Sequence, residues 1–455
     1  MNKILKSRHV DASQVKSTPA QVPSGLYSNP KSLLNLGEND EDGTETFLNL
    51  HLCPDRGIDN IGSQTTELGV VQAQEAGETP EETGSPGKPY RFLLGDMKAL
   101  ISITKEKQTK SIQLSDHLPP HILPYYHQII NEYGQNSFIW FGPFPRLNIT
   151  DPQLMKEILT KPEVFHKPLP DPIGETIAGG LLFLEDEKWA QHRKIINPAF
   201  HMEKLKNMVS SIRLSCSNMV EKWESMFSRS ERSLEIDVWP HLESLSGDVI
   251  SRTAFGSSHE EGERIFELHK EQVKLVLELM KFFFIPGWRF VPTKANRRMR
   301  AISEEIQSLL RGSETTSLLL VWTMVMLSEH QEWQARAREE VLQVFGKNGP
   351  TFDGLNRLKV VTMILHEVLR LYPPVPVIAR APTKTLRLGN ITLPVGVDLM
   401  LQIGLLHHDP KIWGDDVNEF KPGRFSEGIS GATKGQLSFI PFSAGPRVCV
   451  GNNLR

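Results

Sequence analysis

The stretch Ser317–Ser328 reads SLLLVWTMVMLS, with no charged residue in it. No polar stripe can be drawn along such a segment, so as a helix it is expected to be buried on all sides. That single expectation demands a layered, largely helical domain able to enclose it. The chain has the material: 455 residues, 39% of them apolar and 23% charged, which is a globular composition. Its longest apolar stretch, Leu318–Leu327, has the length of a core helix rather than of a membrane span. No run of 18 or more apolar residues occurs, and the first residues lack the charged-then-apolar pattern of a signal peptide. The chain as written is therefore expected not to span a membrane, and to be soluble or peripheral.

The segments around this helix carry helical spacing. Asp151 predicts an N-cap for a helix through Leu159. Glu185–Ile196 reads as a helix stopped by Asn197-Pro198, and Met202–Met226 places Leu205, Met208, Ile212 and Met219 at helical intervals. Glu261–Phe283 and Asn296–Leu310 continue the pattern around a break at Ile285-Pro286-Gly287. Glu332–Phe345 is amphipathic, with Glu332 and Arg336 expected to pair on its outer face. Leu355–Leu371 follows, with Leu358, Val361, Leu365 and Leu369 on one face, and Pro373-Pro374 ends it. Strand signals are few. Phe138–Phe141 and Arg146–Ile149 flank a Gly/Pro turn and read as a hairpin, while Leu386–Leu393 and Val395–Leu401 suggest short strands. The expected fold is mostly α with a small mixed β-sheet.

Residues 1–88 have another texture. They are rich in Gly, Ser, Thr, Pro, Asn and Glu, hold the acidic cluster Glu38, Asp40, Glu41 and Asp42, and carry an excess of acids over bases of about six. Such a segment buries too little apolar surface to offset the entropy of ordering, and is expected to be a disordered acidic tail before a domain at 89–455. The net charge of −3 removes any bulk electrostatic case for nucleic-acid binding. Cys53, Cys216 and Cys449 are too few and too scattered for a disulfide framework or a CxxC metal site. No HExxH, P-loop or nucleophile elbow is present, which removes the main hydrolase readings. His407-His408-Asp409 precedes Pro410 in a loop, and adjacent histidines point apart, so it is not read as a metal site.

Chemistry concentrates in the last segment, PFSAGPRVCVG, residues 441–451. An isolated cysteine is most often a buried, inert thiol. Here Gly445 and Gly451 frame Cys449 and let backbone approach a flat ligand, while Arg447 offers a planar fork for a carboxylate. Those features suit a thiolate ligating haem iron. Phe442, Gly445, Arg447, Cys449 and Gly451 fill every fixed position of F-x-x-G-x-R-x-C-x-G. With them, in order, stand Trp189 and Arg193 (W-x-x-x-R), Glu367 and Arg370 (E-x-x-R), and Phe420, Pro422, Arg424 and Phe425 (F-x-P-x-R-F).

On these motifs, residues 89–455 resemble the cytochrome P450 haem-thiolate monooxygenases. The wording KWAQHRKIINPAFHMEKLKNM and EHQEWQARAREEVLQVFG is similar to the plant clan 72 group that includes secologanin synthase. The resemblance implies the family's prism fold, haem b ligated by Cys449, and NADPH- and O2-dependent oxidation of a small apolar substrate, terpenoid or hormone-like in that group. It also implies electrons from a reductase partner at the endoplasmic reticulum membrane. Trp189, Arg193 and Arg447 would hold the haem propionates, and Arg380 either joins them or is a plain strand-edge arginine. Glu367, Arg370 and Arg424 would form a buried network, where a lone E-x-x-R is usually a surface ion pair. Gly312-Ser313-Glu314-Thr315-Thr316 matches the family's oxygen groove from its second position, with Glu314 relaying protons and Thr315 beside the oxygen. Ser313 and Glu314 also suit a plain helix N-cap.

Three departures from the family's pattern are expected of the chain as written: no apolar anchor at the start, Arg311 and a shortened stretch before the oxygen groove, and no L helix after Cys449. They leave a non-catalytic haem-binding remnant and a cofactor-free helical protein as the competing readings. Pro170–Leu184 is expected to border the substrate access region.

Overall fold

The computed structural model describes residues 85–91, 94–108, 118–142, 144–168, 184–227, 236–255 and 313–454, with isolated residues between 271 and 298. The expected tail up to residue 84, Arg311, Gly312 and Pro170–Phe183 lie outside the described residues, and so do the expected helices Glu261–Phe283 and Asn296–Leu310 apart from Glu271, Leu275, Arg297 and Arg298, which are helical.

Helices α1 (Met97–Gln108) and α2 (Pro124–Tyr133) lead into β1 (Phe138–Phe141) and β2 (Phe144–Ile149). Then come α3 (Pro152–Thr160), β3 (Phe165–His166), α4 (Asp186–Ile196), α5 (Met202–Phe227), α6 (Val238–Ile250), α7 (Ser313–Glu329), α8 (Gln331–Phe345) and α9 (Lys359–Leu371). Strands β4 (Ile378–Pro382), β5 (Leu386–Leu388), β6 (Ile391–Leu393) and β7 (Asp398–Leu401) follow, and the rest is short helical turns and loop. The chain is mostly helical with a small mixed sheet, as expected.

The sheet order is β1-β2-β7-β4-β3. β2 and β7 are parallel, with Leu147 opposite Leu399 and Ile149 opposite Leu401; the other pairs are antiparallel. A parallel pair needs a long crossover, and here most of the helices lie between its two strands. The expected hairpin forms with Phe138 opposite Leu147 and Phe141 opposite Phe144. The expected single strand Leu386–Leu393 is instead a second hairpin, turned at Gly389, whose φ of 57° is left-handed. β4 was not legible, because prolines flank it and one ends it.

Two corrections concern helices. α7 is not buried on all sides: Leu318, Val321, Trp322 and Met326 face the core, whereas Met324 is 39% exposed. An apolar run fixes the helix but not how far its neighbours wrap it. α9 begins at Lys359 rather than Leu355, and its fully buried stripe is Ile364, Val368 and Leu371, with Val361 and Leu365 only half-buried. The shift follows from the cap. Leu358 has no side-chain acceptor, so Glu340 of α8 reaches across and accepts from the amides of Lys359, Val360 and Val361 at 2.7, 2.8 and 3.0 Å. The pair expected on α8 is replaced: Glu332 faces His330 at 3.6 Å, and Arg336 lies 4.0 Å over the Trp333 ring.

α7 and α9 share a core of Leu118, Leu318, Trp322, Ile364, Val368, Leu371 and Tyr372, with the Trp322 and Tyr372 rings stacked at 3.7 Å. A second core joins Leu147, Ile149, Ile158, Leu399, Leu401 and Ile440 behind the sheet. A third, of Leu369, Trp413, Val417, Phe425 and Phe439, lies beneath the segment that carries Cys449. Among the described residues, no helix is long and apolar enough to cross a membrane.

Candidate functional site

Phe442–Leu454 forms two short 3-10 turns, Gly445–Arg447 and Val450–Leu454, with Cys449 between them. The Cys449 amide donates to the Phe442 carbonyl at 3.0 Å, the Val448 amide to the Gly445 carbonyl at 3.1 Å, and the Asn452 amide to the Cys449 carbonyl at 3.1 Å. These bonds close the loop on itself. Gly445 has a φ of 70°, and a Cβ there would fall on the Leu159 carbonyl oxygen at the end of α3. The loop thus lies flat against α3 only because residue 445 has no side chain. Cys449 is exposed, which departs from the packing cysteine that a cofactor-free protein would place there. Cys216, in α5, is half-buried, and burial pushes its thiol pKa up.

Three segments bring their charges to the loop's own Arg447. Arg447 donates to the Leu184 carbonyl at 2.8 Å and pairs with the Glu185 carboxylate, and its guanidinium sits 4.3 Å over the Trp189 ring. Glu185 is the residue preceding α4, yet its side chain makes no cap bond. It turns to accept from the Lys167 amide at 3.3 Å, with the Lys167 ammonium 4.0 Å away. Arg380, on β4, is 7% exposed and donates to the Ala379 carbonyl.

Three cations thus surround one carboxylate in a partly dry site, and they strain against it. Burial first, then Arg447 and Arg380, lower Lys167 to about 8, with Glu185 only partly opposing them. Burial and Arg447 likewise lower Arg380 to about 10. Arg380 lies opposite Leu399 of β7, while β3 pairs with the next two residues of β4, Ala381 and Pro382. Arg193 sits one turn beyond Trp189 and donates to the Val448 carbonyl at 3.0 Å, so it grips the cysteine loop itself. Lys167 and Glu185 belong to no motif, and sequence reasoning missed both.

Behind the loop lies a second charged group. Glu367 and Arg370 are both fully buried. The guanidinium donates to the carboxylate through Nε and Nη2, each at 2.8 Å, and also reaches the carbonyls of His407, Val417 and Glu419 at 3.0, 2.7 and 3.3 Å. Glu367 further accepts from the Lys421 amide at 3.0 Å. Arg424 Nε stands 3.6 Å from Glu367, ion-pair reach but too long for a hydrogen bond. Its stronger bonds go to the Trp413 carbonyl at 2.8 Å and to Asp416 at 3.0 Å. Lys421 and Arg424, bonded to the Asp416 carboxyl, hold its pKa below the usual range. The arrangement pins the 413–425 segment to α9.

Thr315 and Thr316 are exposed on the first turn of α7. Glu314 is helical, but its side chain lies outside the described residues. No group of histidine, cysteine and carboxylate side chains able to hold a metal ion occurs among the described residues.

A sequence model described as Cytochrome P450 matches residues 111–312 and 306–454. Cytochrome P450 72A15 of Arabidopsis thaliana is 46% identical to this chain over 422 residues, covering 81% of this chain and 82% of the relative. Cytochrome P450 CYP72A219 of Panax ginseng is 46% identical over 428 residues, with the same coverage. Cytochrome P450 72A397 of Kalopanax septemlobus is 45% identical over 440 residues, covering 84% of each. Matches of this extent and identity settle the affiliation: the chain belongs to the cytochrome P450 family of haem-thiolate monooxygenases, within its plant 72 group.

Proposed function

We propose that the chain binds haem b through Cys449 and catalyses NADPH- and O2-dependent oxygenation of a small apolar substrate, terpenoid or hormone-like in class, with a reductase as electron donor. The observation that carries this reading is an exposed thiol on a glycine-bounded loop beside a cluster of three cations and one carboxylate. The residues fit the group. Haem is flat and brings two carboxylates, and Lys167, Arg380 and Arg447 outnumber Glu185 by two positive charges. Bound haem would supply the iron chemistry that activates O2, with the Cys449 thiolate donating electron density to it.

In this reading the protein's residues do the following. Cys449 provides the sulfur, and the Phe442 carbonyl and Arg193 hold its loop closed. Lys167, Arg380 and Arg447 receive the propionates, with Trp189 setting the plane of the Arg447 guanidinium. The Glu314 carboxyl and the Thr315 hydroxyl would hold and pass the protons that oxygen reduction consumes. The domain carrying this chemistry is 89–455, preceded by the acidic segment 1–88. The two stretches matched to the family meet at 306–312, directly before Glu314. That supports a shortened approach to the proton-relay helix, and hence oxygen reduction poorly coupled to product.

The test is spectroscopic. Reduced protein with carbon monoxide shows the Soret shift of thiolate-ligated haem, and Cys449→Ser abolishes it. A wild-type chain that purifies free of haem from haem-replete cells overturns the reading and leaves the helical protein without a cofactor. Haem binding with no oxidation of any substrate in the presence of reductase leaves the non-catalytic remnant.

A further inference from the structure

His407 is completely buried against the Glu367–Arg370 pair, yet no motif includes it. Its carbonyl accepts from Arg370 Nη1 at 3.0 Å. Its ring Nε2 accepts from the Ile440 amide at 3.1 Å, and the ring stacks on Phe439 at 5.5 Å with 24° between the planes. From Ile440 the chain of bonds continues. The Ile440 carbonyl accepts from the Ser443 amide at 3.1 Å, and the Phe442 carbonyl from the Cys449 amide at 3.0 Å. One residue thus touches the Glu367–Arg370 pair with its backbone and the root of the cysteine loop with its side chain.

We propose that His407 is a positioning residue that transmits the placement of the buried Arg370 to the loop presenting Cys449. The argument turns on why a histidine stands there. Because Nε2 accepts from Ile440, the ring proton sits on Nδ1, which makes no hydrogen bond of good geometry and is left with weak interactions toward the backbone of Leu369 and Arg370. A phenylalanine would stack on Phe439 and against Trp413 without that penalty. What the imidazole offers and a phenyl ring does not is the acceptor for the Ile440 amide. Burial, reinforced by His408 and Arg370, holds the ring pKa down to about 3, so the lone pair stays available across the physiological range. Arg370 fixes the His407 backbone, the ring fixes Ile440, and Ile440 fixes the turn into Ser443, whose φ of 63° is left-handed for a non-glycine residue. A strained turn of this kind persists only when its surroundings over-determine it.

The spectroscopic arm rests on the haem-thiolate reading; the exchange arm does not. His407→Phe keeps the stacking and removes the acceptor, while His407→Gln restores an acceptor near the position of Nε2. Amide hydrogen exchange of residues 437–443 is followed in the haem-free protein. His407→Phe is expected to speed exchange there roughly tenfold, the equivalent of about 1.4 kcal/mol, leaving residues 363–371 unchanged, and His407→Gln to return it close to wild type. In the haem-loaded protein His407→Phe is expected to retain haem but lose at least half of the thiolate carbon monoxide signal, again recovered by His407→Gln. Should His407→Phe fail to fold, His407→Gln decides alone: a wild-type exchange rate supports the proposal, and accelerated exchange overturns it. Unchanged exchange in a folded His407→Phe also overturns it. A wild-type protein without the thiolate signal defeats the haem reading instead, and the exchange result still stands on its own.

Discussion

Glu367→Ala removes the carboxylate that pairs with Arg370, and the structure sets the size of the effect. The side chain of Arg370 is 0% exposed, so water cannot replace the lost partner. Two of its donors, Nε and Nη2, lose their 2.8 Å bonds, and only the carbonyls of His407, Val417 and Glu419 remain. The Lys421 amide loses its acceptor in the same step. Removing one member of a buried ion pair costs roughly 3–5 kcal/mol, because it strands an uncompensated charge. An exposed pair would cost only about 0–1 kcal/mol. The loss is a large share of the roughly 5–15 kcal/mol that holds a typical domain together. In thermal denaturation it corresponds to a fall on the order of 10 °C, accompanied by reduced yield.

A double variant, Glu367→Met with Arg370→Leu, separates charge from packing. If the stranded charge is the cause, the double variant is more stable than Glu367→Ala, although not restored, since the carbonyls of His407 and Val417 lose their donor. A Glu367→Ala protein melting within about 2 °C of wild type would refute the reasoning, at the equivalent of less than about 1 kcal/mol. A double variant whose loss equals the sum of the two singles would refute it equally, because independent sites add.

Three further outcomes follow from the geometry. Glu340→Ala leaves three amides of α9 without their acceptor and is expected to cost about 1–2 kcal/mol, the range for a lost helix cap, read from the denaturant midpoint. Gly445→Ala sets a Cβ on the Leu159 carbonyl oxygen at a left-handed φ; a cost of roughly 2–4 kcal/mol is expected from the two penalties together, and a wild-type midpoint would show that the loop shifts freely. Lys167, lowered to about 8 against 10.5 in the unfolded chain, gives up its proton in the folded protein first. Its contribution to stability is therefore constant below pH 8 and rises with pH from about 8 to 10.5, whereas haem uptake, which on the proposed reading uses the charge, is expected to weaken over the same interval. Parallel denaturation and Soret titrations check the opposite signs, and Lys167→Gln removes both trends.

What was legible in the sequence and what was not divides along contact distance. The capping of α3 by Asp151, the hairpin at 138–149 and the helical character of α5 and α7 follow from residues a few positions apart, and there periodicity and cap chemistry suffice. The face of α9 did not follow, because its start is set by Glu340, whose bonds span 19 to 21 residues. No pattern around Leu358 reports a cap supplied by another helix. The cysteine loop was legible for a different reason: its glycines, arginine and cysteine are contiguous, so the constraints on backbone approach are written in one segment.

The charges around that loop show the limit most clearly. Arg447 meets Leu184 and Glu185 across 263 and 262 residues, and Arg193 meets Val448 across 255. Arginines in recognisable motifs could be nominated, but Lys167 and Glu185 carry no motif and take their meaning only from the company the fold gives them. Glu185 is the instructive one. A glutamate preceding a helix would ordinarily be read as part of the favourable interaction of acids with an N-terminus, yet its carboxylate spans Lys167 and Arg447 instead. It is thereby an internal competitor for the anions those cations attract. Glu185→Gln raises the excess of the cluster over its carboxylates from two positive charges to three. The haem-free fold is then expected to weaken, and haem to bind up to roughly tenfold more tightly, as about 1.4 kcal/mol allows. Weaker haem binding by Glu185→Gln in a Soret titration would show that the carboxylate instead holds Arg447 in the orientation the propionates need.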